Sequence, residues 1–100
     1  MANFPLGSLF AFSEYMPMPL VIPADVARDL VKLPKVDARR LVEALQTVAA
    51  DLSVRQPFVT EMVGQPGTWR LRKGDWRAVY RVVEGDVVVD RVAHRREVYR

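Results

Sequence analysis

One hundred residues allow a single domain with one modest core, and 50% hydrophobic with 27% charged residues is globular composition rather than disorder. With no cysteine and a single histidine, His94, neither a disulfide framework nor a zinc site of the usual kind is available, so no metal or other cofactor is expected. The net charge of +3 is uneven: residues 1–67 hold six basic and seven acidic side chains, residues 68–100 nine basic and five acidic. A basic end on a small domain suggests an anionic partner, although a charged strand face is more often simply solvated.

Residues 1–15, MANFPLGSLFAFSEY, are apolar, yet no Lys or Arg precedes Arg28, so the charged start of a signal peptide is missing. Pro5, Pro17 and Pro19 interrupt the run short of the ~20 residues that span a bilayer, and no membrane partner is expected. The segment reads as an irregular extension and a candidate partner-binding arm, ahead of a domain over 16–100; Met16 or Met18 is an alternative start. Lack of cysteine suits a cytoplasmic protein.

Pro19 to Ile22 suits a short edge strand, where prolines are tolerated. Asp25 stands where a cap or first-turn acid is expected before the helical pattern VARDLVKL, with Val26, Leu30 and Leu33 on one face and Pro34 as its stop. Asp37 opens a second helix through DARRLVEALQTVAADL, in which Leu41, Leu45, Val48 and Leu52, widened by Ala44 and Ala49, form one apolar stripe. The short break between the two favours an antiparallel helical hairpin. Asp25 and Asp29 read as a solvated face rather than an acid–base pair.

Arg55 to Gly67 carries turn residues, and Gln65-Pro66-Gly67-Thr68 suits a type II turn. Beyond it the period becomes two, with turns at Gly74-Asp75 and within Glu84-Gly85-Asp86. The expected fold is α+β: a helical hairpin packed on one face of a small curved antiparallel sheet, made from the N-terminal edge strand and a three-stranded C-terminal meander.

A two-residue turn at Gly74-Asp75 sets Lys73 opposite Trp76, Arg72 opposite Arg77, Leu71 opposite Ala78, Arg70 opposite Val79 and Trp69 opposite Tyr80. One face then carries Trp69, Leu71, Trp76, Ala78, Tyr80 and Val82 toward the helices; the other carries Arg70, Arg72, Arg77 and Arg81. Like charges directly opposed destabilise a sheet by an amount comparable to the ~0.2–1 kcal/mol of a good pair, so folding alone does not ask for Arg72 against Arg77. A phosphate between them converts repulsion into two charge-assisted contacts. For the last strand, a turn at Gly85-Asp86 is preferred, because it sets Arg81 against Asp90 and Val82 against Val89; it also brings His94 to the arginine side. Taken singly, Trp69 and Tyr80 read as core, Trp76 evenly as core or stacking platform, and His94 as a surface histidine.

WRLRKGDWRAVYRV followed by VAHRREVYR resembles the end of the RelE/ParE superfamily of toxins from toxin–antitoxin pairs, and RDLVKLP resembles its helix boundary more loosely. The resemblance implies a toxin that cleaves mRNA in the ribosomal A site, with a cognate antitoxin, acidic where it covers the arginine face, and operator DNA bound only through the antitoxin complex. By position it implies catalytic roles for Arg77, for Arg95 or Arg96, and for Tyr99, with phosphate binding by Arg70 and Arg72; Lys73 and Arg96 extend the basic set. Metal-free cleavage needs attack by the RNA's own 2′-OH, a base and an acid; His94, Tyr99 and Glu97 are the candidates. Two other readings stay open: a ParE-like, non-enzymatic DNA gyrase inhibitor, and an inactive homologue acting as an antitoxin- and operator-binding module. Val63, where the family often has lysine before Gly64, and Asp90, in place of an apolar residue, depart from the pattern.

Overall fold

The structure is a computed structural model and describes residues 19–98. The extension at 1–15 and Tyr99 therefore lie outside the described residues.

Strand β1 (Leu20–Val21) leads into helix α1 (Ala24–Val31) and helix α2 (Lys35–Ala50). Strands β2 (Val59–Glu61), β3 (Thr68–Lys73), β4 (Trp76–Val83) and β5 (Asp86–His94) follow, and a single turn of helix, α3 (Arg95–Val98), comes last. The five strands form one sheet in the order β1-β5-β4-β3-β2. The fold class is as expected, with two differences of detail. Val59–Glu61, within the stretch read as turns, adds a fifth strand, and β1 runs parallel to β5 so that the sheet is mixed. Three residues with one buried side chain, Val59, are too few to show a period of two.

Proline begins both helices. Pro23 and Pro34 occupy the N-cap positions with extended backbone, their carbonyls accepting from the Ala27 and Ala38 amides at 2.9 Å. Asp25 and Asp37 thus sit in first turns, where a negative charge complements the helix dipole, rather than at caps. Asp37 also accepts the Trp76 indole N–H at 3.1 Å, tying α2 to the sheet.

One core fills the space between helices and sheet: Val26 and Leu30 from α1, Leu41, Leu45 and Val48 from α2, and Leu71, Ala78, Tyr80, Val87 and Val89 from the sheet. Leu52 does not join it. Helix α2 ends at Ala50, Asp51 turns extended, and Leu52 is 41% exposed. Val82 shares the helix-side face but lies beyond the reach of α2 and is equally exposed.

The β3–β4 register matches the expectation at every pair, from Lys73↔Trp76 to Trp69↔Tyr80. Gly74 takes a φ of +60°, which its missing side chain permits. The type II turn at Gln65–Thr68 also forms, the Thr68 amide donating to the Gln65 carbonyl at 3.0 Å.

The β4–β5 register differs. Val83 pairs with Asp86, so the turn is Glu84-Gly85, with φ of +52° and +86°, as a type I′ hairpin requires. Val82 pairs with Val87 and Tyr80 with Val89, but Val79 pairs with Arg91. Asp90 is the extra residue of a β-bulge. Beyond it the faces are exchanged relative to the expected register: Arg77 pairs with Ala93, and His94 pairs with Trp76 on the helix side.

Candidate nucleic-acid interface

The sheet face turned away from the helices carries Arg70 and Arg72 on β3, Arg77, Val79 and Arg81 on β4, and Asp90, Arg91 and Ala93 on β5. Arg72 and Arg77 are direct cross-strand partners, so two guanidinium-bearing side chains leave neighbouring strands on the same side. Arg91 joins this face through the bulge. It was absent from the sequence-based set because an unbulged strand turns it the other way; the signal available was Asp90, a charge inside a run of valines.

Arg77 is 7% exposed. Its Nη1 donates to the Gly74 and Trp76 carbonyls, both at 2.9 Å, and its Nε is buried with no hydrogen-bond partner. No described carboxylate pairs with it. An unmet donor on a buried cation is costly. Arg72 is exposed and likewise lacks a described carboxylate partner. Arg70 is half-buried and has a partner of its own.

Arg81 is different. Its Nε and Nη2 donate to the two oxygens of Asp90 at 2.7 and 2.9 Å. These hydrogen bonds, then the charge beside them, push its pKa further up. Arg81 is thus a structural cation, as its expected proximity to Asp90 implied.

Helix α3 sits at the β3–β4 hairpin tip. The Arg95 amide donates to the Asp75 carbonyl at 2.7 Å, and the Arg95 Nε lies 3.6 Å from the Asp75 carboxylate. Arg91 donates to the Glu97 carbonyl at 3.1 Å. Of the two C-terminal arginines, only Arg95 has a carboxylate within ion-pair reach among the described residues; Arg96 is exposed.

His94 is not on the arginine face. Its ring meets the Trp76 ring edge-on, with centroids 5.3 Å apart, and its Nδ1 accepts the Arg96 amide at 3.3 Å. The expectation that it joins Arg70, Arg72 and Arg77 fails because the bulge shifts the last third of β5 by one residue. Lys73 shares the helix-side face too, with its ammonium 5.8 Å from the centre of the Phe58 ring. The geometry therefore brings together Arg70, Arg72, Arg77 and Arg91, sets Arg95, Arg96 and Glu97 at one end of them, and leaves His94 and Lys73 on the other side. No group of three or more metal-ligating side chains occurs among the described residues. No helix there is long and apolar enough to cross a membrane.

This arrangement of a helical hairpin on a small mixed sheet is that of the RelE-type toxins. The chain superposes on a chain of the RelB–RelE antitoxin–toxin complex of Methanococcus jannaschii (TM-score 0.66, 18% identity, 79% of this chain and 94% of that one). It also superposes on a chain of the archaeal RelE–RelB complex of Pyrococcus horikoshii OT3 (0.67, 25%, 82% and 99%). A doubly substituted E. coli toxin RelE in the free state gives 0.65 at 23% identity, over 84% and 92%. No curated protein matches the sequence. Residues 20–99 match the model of the ParE toxin of the type II toxin–antitoxin system parDE. The chain belongs to this family, within the RelE/ParE superfamily, and is the toxin of a toxin–antitoxin system.

Proposed function

We propose that the toxin is a ribosome-dependent endoribonuclease that grips the mRNA backbone in the A site on the Arg72–Arg77 face. The observation that supports this most is the pairing of Arg72 with Arg77, directly opposed and with no described carboxylate to neutralise either, while Arg81 on the same face is fully paired. A scissile phosphate beside this pair takes charge-assisted hydrogen bonds from the exposed Arg72 and is held in the field of the Arg77 cation next to it. The RNA's 2′-OH attacks the adjacent phosphorus and the bond from phosphorus to the 5′ oxygen breaks, leaving a 2′,3′-cyclic phosphate and a 5′-OH. Charge gathers on the non-bridging oxygens as this happens, and fixed guanidinium groups stabilise it without reorganising. Dependence on the 2′-OH accounts for RNA over DNA.

His94 is poorly placed to take or give the proton, since its Nδ1 is occupied by the Arg96 amide and its ring lies on the helix side. Glu97, exposed on α3, and Tyr99 are the groups to test as base and acid. Arg96 takes over from Arg95 as the C-terminal phosphate contact, because Asp75 partly neutralises Arg95. The cognate partner is an antitoxin acidic where it meets these arginines, as charge complementarity requires; the Pyrococcus relative is likewise seen with RelB. Operator DNA is reached through that complex, and the cell compartment is the cytoplasm, where ribosomes are found.

A second reading is a ParE-like gyrase inhibitor, favoured by the family model that matches and by the absence of His94 from the arginine face. Inducing the chain in cells while mapping mRNA 5′ ends and DNA breaks separates the two. Cuts inside translated codons, lost on Arg72→Ala and Arg77→Ala, support the ribonuclease. DNA breaks with intact messages support the gyrase reading and refute the first.

A further inference from the structure

Where α2 stops at Ala50, the helix side of the sheet keeps an apolar groove of about 140 Å³. Val48, Leu52, Val54, Trp69, Tyr80 and Val82 are among its lining residues. Leu52, Val54 and Val82 are 41%, 49% and 41% exposed, so the core is open to water here. At the rim, the Arg55 guanidinium lies 5.3 Å from the centre of the Trp69 ring.

The described chain begins beside this groove. The Pro19 carbonyl accepts from the Val87 amide, Leu20 pairs with Val87, and Val87 pairs with Val82 in the groove wall. β1 and β4 are separated only by β5, so the entry point is two strand spacings, ~10 Å, from Val82. Eighteen residues precede it, enough to span up to ~60 Å if extended, and they include Phe4, Leu6, Leu9, Phe10 and Phe12 with one charged side chain, Glu14.

We propose that residues 1–18 of the same chain turn back over this end of the sheet and fill the groove, apolar side chains on Leu52, Val54 and Val82, with Glu14 toward Arg55. Three observations carry it: an uncovered patch of core, a chain entering at its edge, and an incoming segment rich in phenylalanine and leucine with one charged side chain. Tethering favours this occupant over any free partner, since a short flexible link supplies an effective concentration in the millimolar range. The inference does not depend on whether the toxin cuts RNA or inhibits gyrase.

The chain has no cysteine, so Ser8→Cys and, separately, Ser13→Cys each give one attachment point for a nitroxide in the full-length free protein. The expected result is strong loss of the methyl NMR signals of Leu52, Val54 and Val82 at all protein concentrations. Signals of Val31 and Val36, near the opposite end of α2, remain. Adding Val54→Glu, at a site exposed enough to leave the fold intact, should restore the lost signals. Uniform loss, no loss, or loss that survives Val54→Glu overturns the proposal. Loss transferred to isotope-labelled, nitroxide-free chains mixed into the sample also overturns it, and assigns the groove to a second copy.

Discussion

Arg81 and Asp90 are joined by two hydrogen bonds, at 2.7 and 2.9 Å, although they are not register partners: Arg81 pairs with Val88, and Asp90 stands out of the ladder as a bulge. The ion pair removes one cation from the arginine face while leaving its neighbours charged. Replacing Asp90 with asparagine is expected to cost ~0.2–1 kcal/mol, the range of solvent-accessible pairs, because both side chains are a third to a half exposed. The same change releases a positive charge on the arginine face. A double-mutant cycle with Arg81→Gln in urea unfolding measures the first effect, and a steeper salt dependence of RNA binding measures the second.

Arg72 and Arg77 separate binding from folding. Arg72 is exposed, so Arg72→Ala should leave the melting temperature within a degree or two while lowering mRNA cleavage about 100-fold or more, the cost of losing one preorganised donor. Arg77 braces the hairpin through the Gly74 and Trp76 carbonyls, so Arg77→Ala should lower both activity and stability. Arg77→Lys keeps the charge but not the planar fork. If lysine at 77 restores full cleavage, the geometric role given to the guanidinium is wrong.

Glu84 has a φ of +52° in an exposed type I′ turn, a conformation costly for most side chains. Asparagine tolerates it, and Asn-Gly is the favoured pair at this position. Glu84→Asn should therefore stabilise the chain by ~0.5–1 kcal/mol without changing activity, visible as a higher denaturation midpoint at constant slope.

Tyr80 is 3% exposed, and burial pushes its phenol up to about 12 from an ordinary value of 10. The fold favours the protonated form, so this contribution is complete below pH 10 and is lost as pH rises from there through about 12. The loss amounts to roughly 2–3 kcal/mol. Tyrosinate absorbance followed against far-UV circular dichroism should show Tyr80 ionising with unfolding, and Tyr80→Phe should flatten the alkaline limb.

The β3–β4 hairpin was legible in the sequence because Gly74 fixes a two-residue turn and every pair follows by counting. Helix boundaries were less so. Pro34 reads as a stop for the first helix, yet it equally begins the second, since proline's fixed φ suits that position. Leu52 continues the spacing of the α2 stripe but falls after the helix has ended, where periodicity no longer reports direction. The candidate site was half legible. Arg72 and Arg77 follow from turn chemistry, whereas Arg91 and His94 depend on whether one residue is paired or extruded. Local sequence did not determine that choice: moving the turn between Glu84-Gly85 and Gly85-Asp86 shifts the register by two residues and leaves each side chain on its face, so only the bulge, which the ladder as a whole selects, exchanges Arg91 and His94.

The extruded Asp90 therefore works as a half-turn in the strand's parity. Upstream of it the odd-numbered residues of β5 look to the helices; downstream the even-numbered ones do. Drawing Asp90 back into the ladder would send Arg91 inward and His94 outward with no change in composition, whereas deleting it would leave both where they are. Which groups this strand presents to a target thus rests on the bulge and not on the strand's length.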